Sequence, residues 1–119
     1  MYARDKVVDA HDLQQRLPTD SQVEAATEML RMLGDGTRLR LMALLAEGEH
    51  DVTALVAAVG AARPAVSQHL GRLRLAGLVT VRREGRRALY TARGGHVRRL
   101  VAEVIRAASH RVAGIPEHD

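Results

Sequence analysis

Residues 51–91, DVTALVAAVGAARPAVSQHLGRLRLAGLVTVRREGRRALYT, hold the succession that decides the fold. Asp51 to Val59 reads as a short helix closed by Gly60, a residue that tolerates the left-handed geometry of a helix C-terminus. Ala61, Ala62 and Arg63 then lead to Pro64, and proline suits a first helical turn because its missing N–H would have had no partner there. The spacing predicts a second helix from Pro64 to Ala76, ended by Gly77. Val66, Leu70, Leu73 and Leu75 form its apolar side, and Ser67, Gln68, His69, Arg72 and Arg74 its polar side. Leu78–Arg82 and Ala88–Thr91 are β-branched and aromatic runs on either side of Arg83–Arg87, a turn containing Gly85. Helix, turn, helix and hairpin in that order make a winged helix-turn-helix, so the expected class is mainly α with a β-hairpin wing.

Upstream, Ser21 with Glu24 three residues later forms a capping-box pattern that opens a helix with Val23, Ala26, Met29, Leu30 and Leu33 on one face. Gly34-Asp35-Gly36 stops it. Thr37 is read as the cap of the next helix, whose Leu39, Leu41, Met42, Leu44 and Leu45 are apolar almost all round, as a central helix should be. Downstream, His96 to about Val112 returns to helical period, with Val97, Leu100, Val101, Val104, Ile105 and Ala108 on one side. Residues 1–20 read as an arm or a loosely packed first helix, 21–112 as the folded domain and 113–119 as a tail.

The chain of 119 residues, 46% hydrophobic, suits one domain with a modest core. It has no phenylalanine, tryptophan or cysteine, so the core must be aliphatic, and disulfides, thiolate metal sites and cysteine redox chemistry are excluded. Neither a signal-peptide apolar run nor about 18 consecutive apolar residues is present, which points to a cytosolic protein away from the membrane. No Ser/His/Asp arrangement, carboxylate pair or phosphate-cradling glycine loop stands out, so an enzyme is not expected.

Net charge is +4, carried almost wholly by arginine, since Lys6 is the only lysine. The planar guanidinium fork matches phosphate oxygens and guanine edges, and double-stranded DNA is the partner this balance suggests. Ser67, Gln68 and His69 are placed to reach base edges in the major groove, glutamine being suited to adenine. Arg63 and Arg72 are placed to position the helix on phosphates. Arg82, Arg83, Arg86 and Arg87 surround the Gly85 tip as a basic finger for the flanking backbone or minor groove. His69 can alternatively serve as a capping residue.

Three stretches carry a resemblance to the ArsR/SmtB bacterial metalloregulators over roughly residues 21–112. They are Leu33–Leu41 (LGDGTRLRL), Ala65–Val79 (AVSQHLGRLRLAGLV) and Arg83–Tyr90 (REGRRALY). Gly36 stands where that family usually has proline. The resemblance implies a homodimer joined through its terminal helices, bound to a near-palindromic operator as a repressor and usually released by its effector.

The family's thiolate sites are ruled out, because the corresponding helix reads Glu49-His-Asp-Val-Thr-Ala-Leu55. Glu49, His50 and Asp51 can hold a harder metal or form an ordinary acidic loop and helix cap. His96 and His110 lie 14 residues apart, about 21 Å along one helix, so one chain cannot bring both to one ion. Antiparallel last helices across a two-fold axis would pair His96 of one chain with His110 of the other. The last helix and tail resemble the nickel/cobalt-sensing members of the family, and by that resemblance His96, His110 and His118 fall on ligand positions. Glu117 and Ser109 stand where those sensors have histidine and glutamate, and Glu117 can still ligate. Gly94 and Ala107 break the four-ligand zinc pattern. Imidazole with carboxylate suits nickel or cobalt, with tetrahedral zinc as the alternative. His11 in the arm can complete a metal shell. A second reading keeps the DNA contact without a metal switch, the protein acting constitutively or through a partner protein.

Overall fold

The computed structural model describes residues 8–114. Glu117 and His118 therefore lie outside the described residues. The elements run α1 (Ala10–Gln15), α2 (Asp20–Leu33), α3 (Gly36–Glu47), β1 (His50–Asp51), α4 (Val52–Val59), α5 (Arg63–Leu75), β2 (Val79–Glu84), β3 (Arg87–Ala92) and α6 (Gly94–Ala113). No described helix is long and apolar enough to cross a membrane.

The helix starts differ from the sequence expectation in register. The capping box is Thr19 with Gln22, not Ser21 with Glu24: Thr19 Oγ1 accepts from the Gln22 N–H at 3.1 Å, and Gln22 Oε1 accepts from the Thr19 N–H at 2.9 Å. Both registers satisfy the same pattern, and the earlier one starts the helix directly after Pro18. Likewise Asp35, not Thr37, caps α3, its Oδ2 accepting from the Arg38 N–H at 3.0 Å. A carboxylate there also faces the positive end of the helix dipole. Of the first 20 residues, Ala10–Gln15 form a helix with no buried residue.

The core is aliphatic. Leu41, Met42 and Leu45 of α3 lie at its centre, with Leu55 of α4, Val66, Leu70 and Leu73 of α5, Leu78 and Val79 at the root of the hairpin, and Val97 and Val101 of α6 around them. At about 1.5–3 kcal/mol for each large side chain taken from water, this cluster is the main stabilising term. Leu75, expected on the same side of α5, is 91% exposed. Helical period gives the reason: Val66, Leu70 and Leu73 follow i, i+4, i+7, whereas nine residues from Val66 is a half-turn away.

Two further apolar faces stay uncovered in a single chain. On α2 only Leu33 is buried, while Val23 and Leu30 are exposed. On α6 the stripe begins in the core at Val97 and Val101 and leaves it at Val104 and Ile105, each 39% exposed.

The hairpin is longer and its turn tighter than expected. Val79 pairs with Ala92 and the register continues to Glu84 opposite Arg87, leaving Gly85 and Arg86 as a two-residue turn. Gly85 has φ +62°, where a Cβ would be strained. Arg83, Glu84 and Arg87 are thus strand residues. A third strand, β1, pairs His50 with Tyr90 and Asp51 with Leu89, giving the sheet order β1-β3-β2. Tyr90 thereby sits mid-strand with His50 on one side and Val81 on the other.

Candidate nucleic-acid interface

The two helices of the motif are set by their ends. Asp51 Oδ1 accepts from the Ala54 N–H at 2.8 Å and starts α4, and Gly60 at φ +69° ends it. Helix α5 begins at Arg63-Pro64 with no side-chain cap and no acidic residue in its first turn. Its first N–H groups and the positive end of its dipole are left for an external acceptor, as a phosphate-approaching helix needs. Arg63 donates to Thr53 Oγ1 at 2.7 Å and ties the start of α5 to α4. With Val66, Leu70 and Leu73 buried, Ser67, Gln68 and Arg72 are exposed on the outer face of α5. His69 is half-buried at the edge between those faces, its Nδ1 3.4 Å from the Arg38 guanidinium.

In the wing the four arginines divide into two kinds. Arg82 grips Glu49 in a two-pronged pair, Nε to Oε2 at 2.6 Å and NH2 to Oε1 at 2.8 Å. Arg87 donates to Asp51 Oδ2 at 3.1 Å and lies 3.7 Å from Glu84. Arg83 and Arg86 have no acidic partner among the described residues. The carboxylates of the β1 segment therefore tie the wing to the body, while the unpaired cations stand at and beside its tip.

This pairing bears on the two readings of Glu49, His50 and Asp51 and favours the acidic loop and helix cap. Glu49 is occupied by Arg82. Asp51 uses one oxygen to cap α4 and the other to hold Arg87, and His50 is a strand residue opposite Tyr90. The segment is a clamp and helix cap, and its carboxylates are committed to protein partners. Hydrogen bonds from Arg82, then its charge, hold Glu49 below the usual carboxylate range against some desolvation. The Ala54 N–H and then Arg87 do the same for Asp51.

A carboxyl whose folded value is depressed stabilises above its unfolded value and loses that contribution as pH falls through the folded one. The clamp should be intact at neutral pH and weaken only below the ordinary Glu value of 4.5. Being exposed, it is screened by solvent and its contribution is modest. Urea midpoints taken from pH 7 to pH 3 should fall less steeply for Glu49→Gln than for wild type. Superimposable profiles would count against the clamp.

Helix α6 carries the remaining candidates. His96 is exposed, with Nδ1 3.2 Å from the Arg99 guanidinium, and His110 is half-buried four turns further on. Ser109 donates to the Ile105 carbonyl of its own helix at 2.9 Å. Among the described residues no group of three or more His, Cys, Asp or Glu side chains converges in one chain. The root of α6 is stitched to the wing: Arg98 donates to the Ala92 carbonyl at 3.3 Å, and the Arg93 N–H to the Leu78 carbonyl at 2.9 Å.

Arg38 and Thr53 escape the sequence reading. The signal for Arg38 was a charged residue inside an otherwise apolar central helix. Thr53 carried none beyond its place in a first helical turn.

Residues 35–81 match the family described as bacterial regulatory protein, arsR family. The chain is 43% identical to the HTH-type transcriptional regulator KmtR of Mycobacterium tuberculosis over 83% of its own length and 76% of that protein. It is 36% identical to the transcriptional regulator NmtR of the same organism over 84% of each chain. Among solved structures it superposes on the homodimeric winged helix-turn-helix DNA-binding domain Mb0332 of Mycobacterium bovis with TM-score 0.74 and 32% identity, covering 87% of this chain and 99% of that one. HlyU from Vibrio cholerae aligns with TM-score 0.70 and 26% identity over 79% of this chain and 97% of the other.

Proposed function

The chain belongs to the ArsR family of bacterial regulatory proteins, a group of winged helix-turn-helix transcriptional regulators, and from that premise we propose that it is a homodimeric repressor that releases its operator on binding a divalent metal ion. The observation carrying the DNA half is the outer face of α5, with Ser67, Gln68 and Arg72 exposed at an uncapped helix, flanked by Arg83 and Arg86 on the wing. Helix α5 enters the major groove. Gln68 and Ser67 read base edges, His69 lines the groove edge, Arg72 and Arg63 meet phosphates, and the wing arginines cover the adjacent backbone. The uncovered stripes of α2 and α6 supply the dimer seam, and isologous pairing doubles the reading head for a near-palindromic site.

Titration of the full chain against the duplex upstream of its own gene, at several salt concentrations, tests this half. Preference for that duplex and a steep salt dependence are expected. Equal affinity for unrelated DNA with a flat salt response would sink it.

For the metal half, His96 and His110 of the partner subunit, with Glu117 and His118, supply imidazole and carboxylate donors suited to nickel or cobalt, with zinc as the tetrahedral alternative. A bound divalent ion supplies fixed positive charge at the seam. Arg99 must swing off His96 for that ring to ligate through Nδ1, and the lost contact counts against metal binding. The stitches from α6 to Leu78 and Ala92 give any shift of α6 a direct mechanical route to the wing.

Calorimetry with nickel should find two equivalent sites per dimer. His96→Ala and His110→Ala should each cost at least the roughly 10–100-fold in affinity that loss of an outer supporting group costs a metal site. Unchanged affinity in both would remove the site. A regulator without its own metal switch, constitutive or dependent on a partner protein, is the second reading. It is favoured by Arg99 against His96 and by the Ser109 hydroxyl turned into its own helix.

A further inference from the structure

Arg38 is the only charged or polar side chain buried among the described residues, at 9% exposure. A guanidinium is costly to remove from water, and a methionine would fill the same volume among the leucines of α3 without that cost. What the guanidinium does there is join two other elements. Its Nε donates to the Met32 carbonyl at 2.7 Å, satisfying one of the carbonyls left open at the end of α2. Its NH1 faces His69 Nδ1 of α5 at 3.4 Å.

Arginine has donors and no acceptor, so the hydrogen bond requires a lone pair on Nδ1 and places the imidazole proton on Nε2. Asp35, the cap of α3, is held below the usual carboxylate range by the Arg38 N–H bond first and, against some desolvation, by the charge of the Arg38 guanidinium. The charged and titratable groups at this junction are Asp35, Arg38 and His69.

We propose that Arg38 is a positioning residue for operator recognition, acting through His69 to fix the rotation of α5 against the end of α2. His69 is suited to this because it stands between the buried side of α5, Val66, Leu70 and Leu73, and the outer face that carries Ser67 and Gln68. Holding one edge of a helix sets where its opposite face points. Helix α2 also bears an uncovered apolar face, so the same guanidinium links the dimer seam to the reading head. This inference rests on the DNA-binding reading above.

The test compares affinity for the upstream duplex with affinity for an unrelated duplex of equal length. Arg38→Met should weaken operator binding about tenfold, leaving non-operator affinity and salt slope unchanged. His69→Leu should also weaken operator binding, and the double variant should be no worse than either alone, because one interaction is being removed twice. His69→Gln, whose amide can accept from Arg38, should recover most of the loss. Imidazole nitrogen shifts should show the Nε2–H form of His69 in wild type and a mixture in Arg38→Met.

Should Arg38→Met not fold, Arg38→Lys takes its place, because a single ammonium cannot reproduce the guanidinium's two directed contacts, and its loss should again not add to that of His69→Leu. Additive losses, equal losses on both duplexes, or no recovery in His69→Gln would overturn the proposal. If wild type itself shows no preference between the duplexes, the DNA-binding reading fails first.

Discussion

Arg83→Ala combined with Arg86→Ala is expected to weaken DNA binding about a hundredfold and to flatten the plot of log affinity against log salt by nearly two units. Each arginine is available to a phosphate, each phosphate contact contributes about 0.9 to that slope, and a hydrogen bond to a charged group is worth tenfold or more. The loss should be similar on operator and unrelated DNA, because phosphates carry no sequence. Arg82→Ala is the informative control. Its guanidinium is already gripped by Glu49 at 2.6 and 2.8 Å, so the slope should stay near the wild-type value. An Arg82→Ala slope as flat as that of Arg83→Ala would mean that DNA pulls the wing arginines off their carboxylates, and the division of the wing into clamps and contacts would fail.

Leu70→Ala is expected to destabilise the protein by about 2–5 kcal/mol, the range for deleting a fully buried leucine side chain and leaving a cavity. Leu70 has no exposed surface and lies between Val66 and Leu73 where α5 meets the core. Small domains hold only about 5–15 kcal/mol in total, so this one change would remove a large share and shift the urea midpoint accordingly. Leu75→Ala, five residues on, should cost under about 0.5 kcal/mol, as surface substitutions do. Both proteins should be compared at equal concentration, since dimerisation adds to apparent stability. A Leu75→Ala loss matching that of Leu70→Ala would show that Leu75 is covered in the dimer.

These leucines also show how far the chain can be read without coordinates. The order of helices, the hairpin and the glycine stops at Gly60 and Gly77 depend on local chemistry, and local chemistry is written in sequence. The side of α5 that carries Leu75 is also a matter of period, since nine residues from Val66 is a half-turn away from the core. Cap positions are harder. Thr19 and Ser21 each begin a valid capping box, and Asp35 and Thr37 each can cap, so small energies choose between them.

The least legible features join residues far apart. Glu49 meets Arg82 across 33 positions, because the two-residue strand β1 lies beside β3. A strand of two residues has no period to detect. Arg38 and His69 are 31 apart and meet only because α3 and α5 pack together. Neither pair can be inferred from spacing, and both alter the role of an arginine or histidine that composition alone would send to DNA. The candidate metal residues pose a different difficulty: His96 and His110 belong to one helix, and the proposed site would bring them together only between two chains.

Tyr90, mid-strand between His50 and Val81, gives the protein an optical property. With no tryptophan or phenylalanine and only Tyr2 besides, the near-ultraviolet signal comes from two phenols. In a Tyr2→Leu variant a single chromophore remains, half-buried at the root of the wing. Its emission and circular dichroism then follow the sheet, so unfolding of the wing can be read from it without an attached dye.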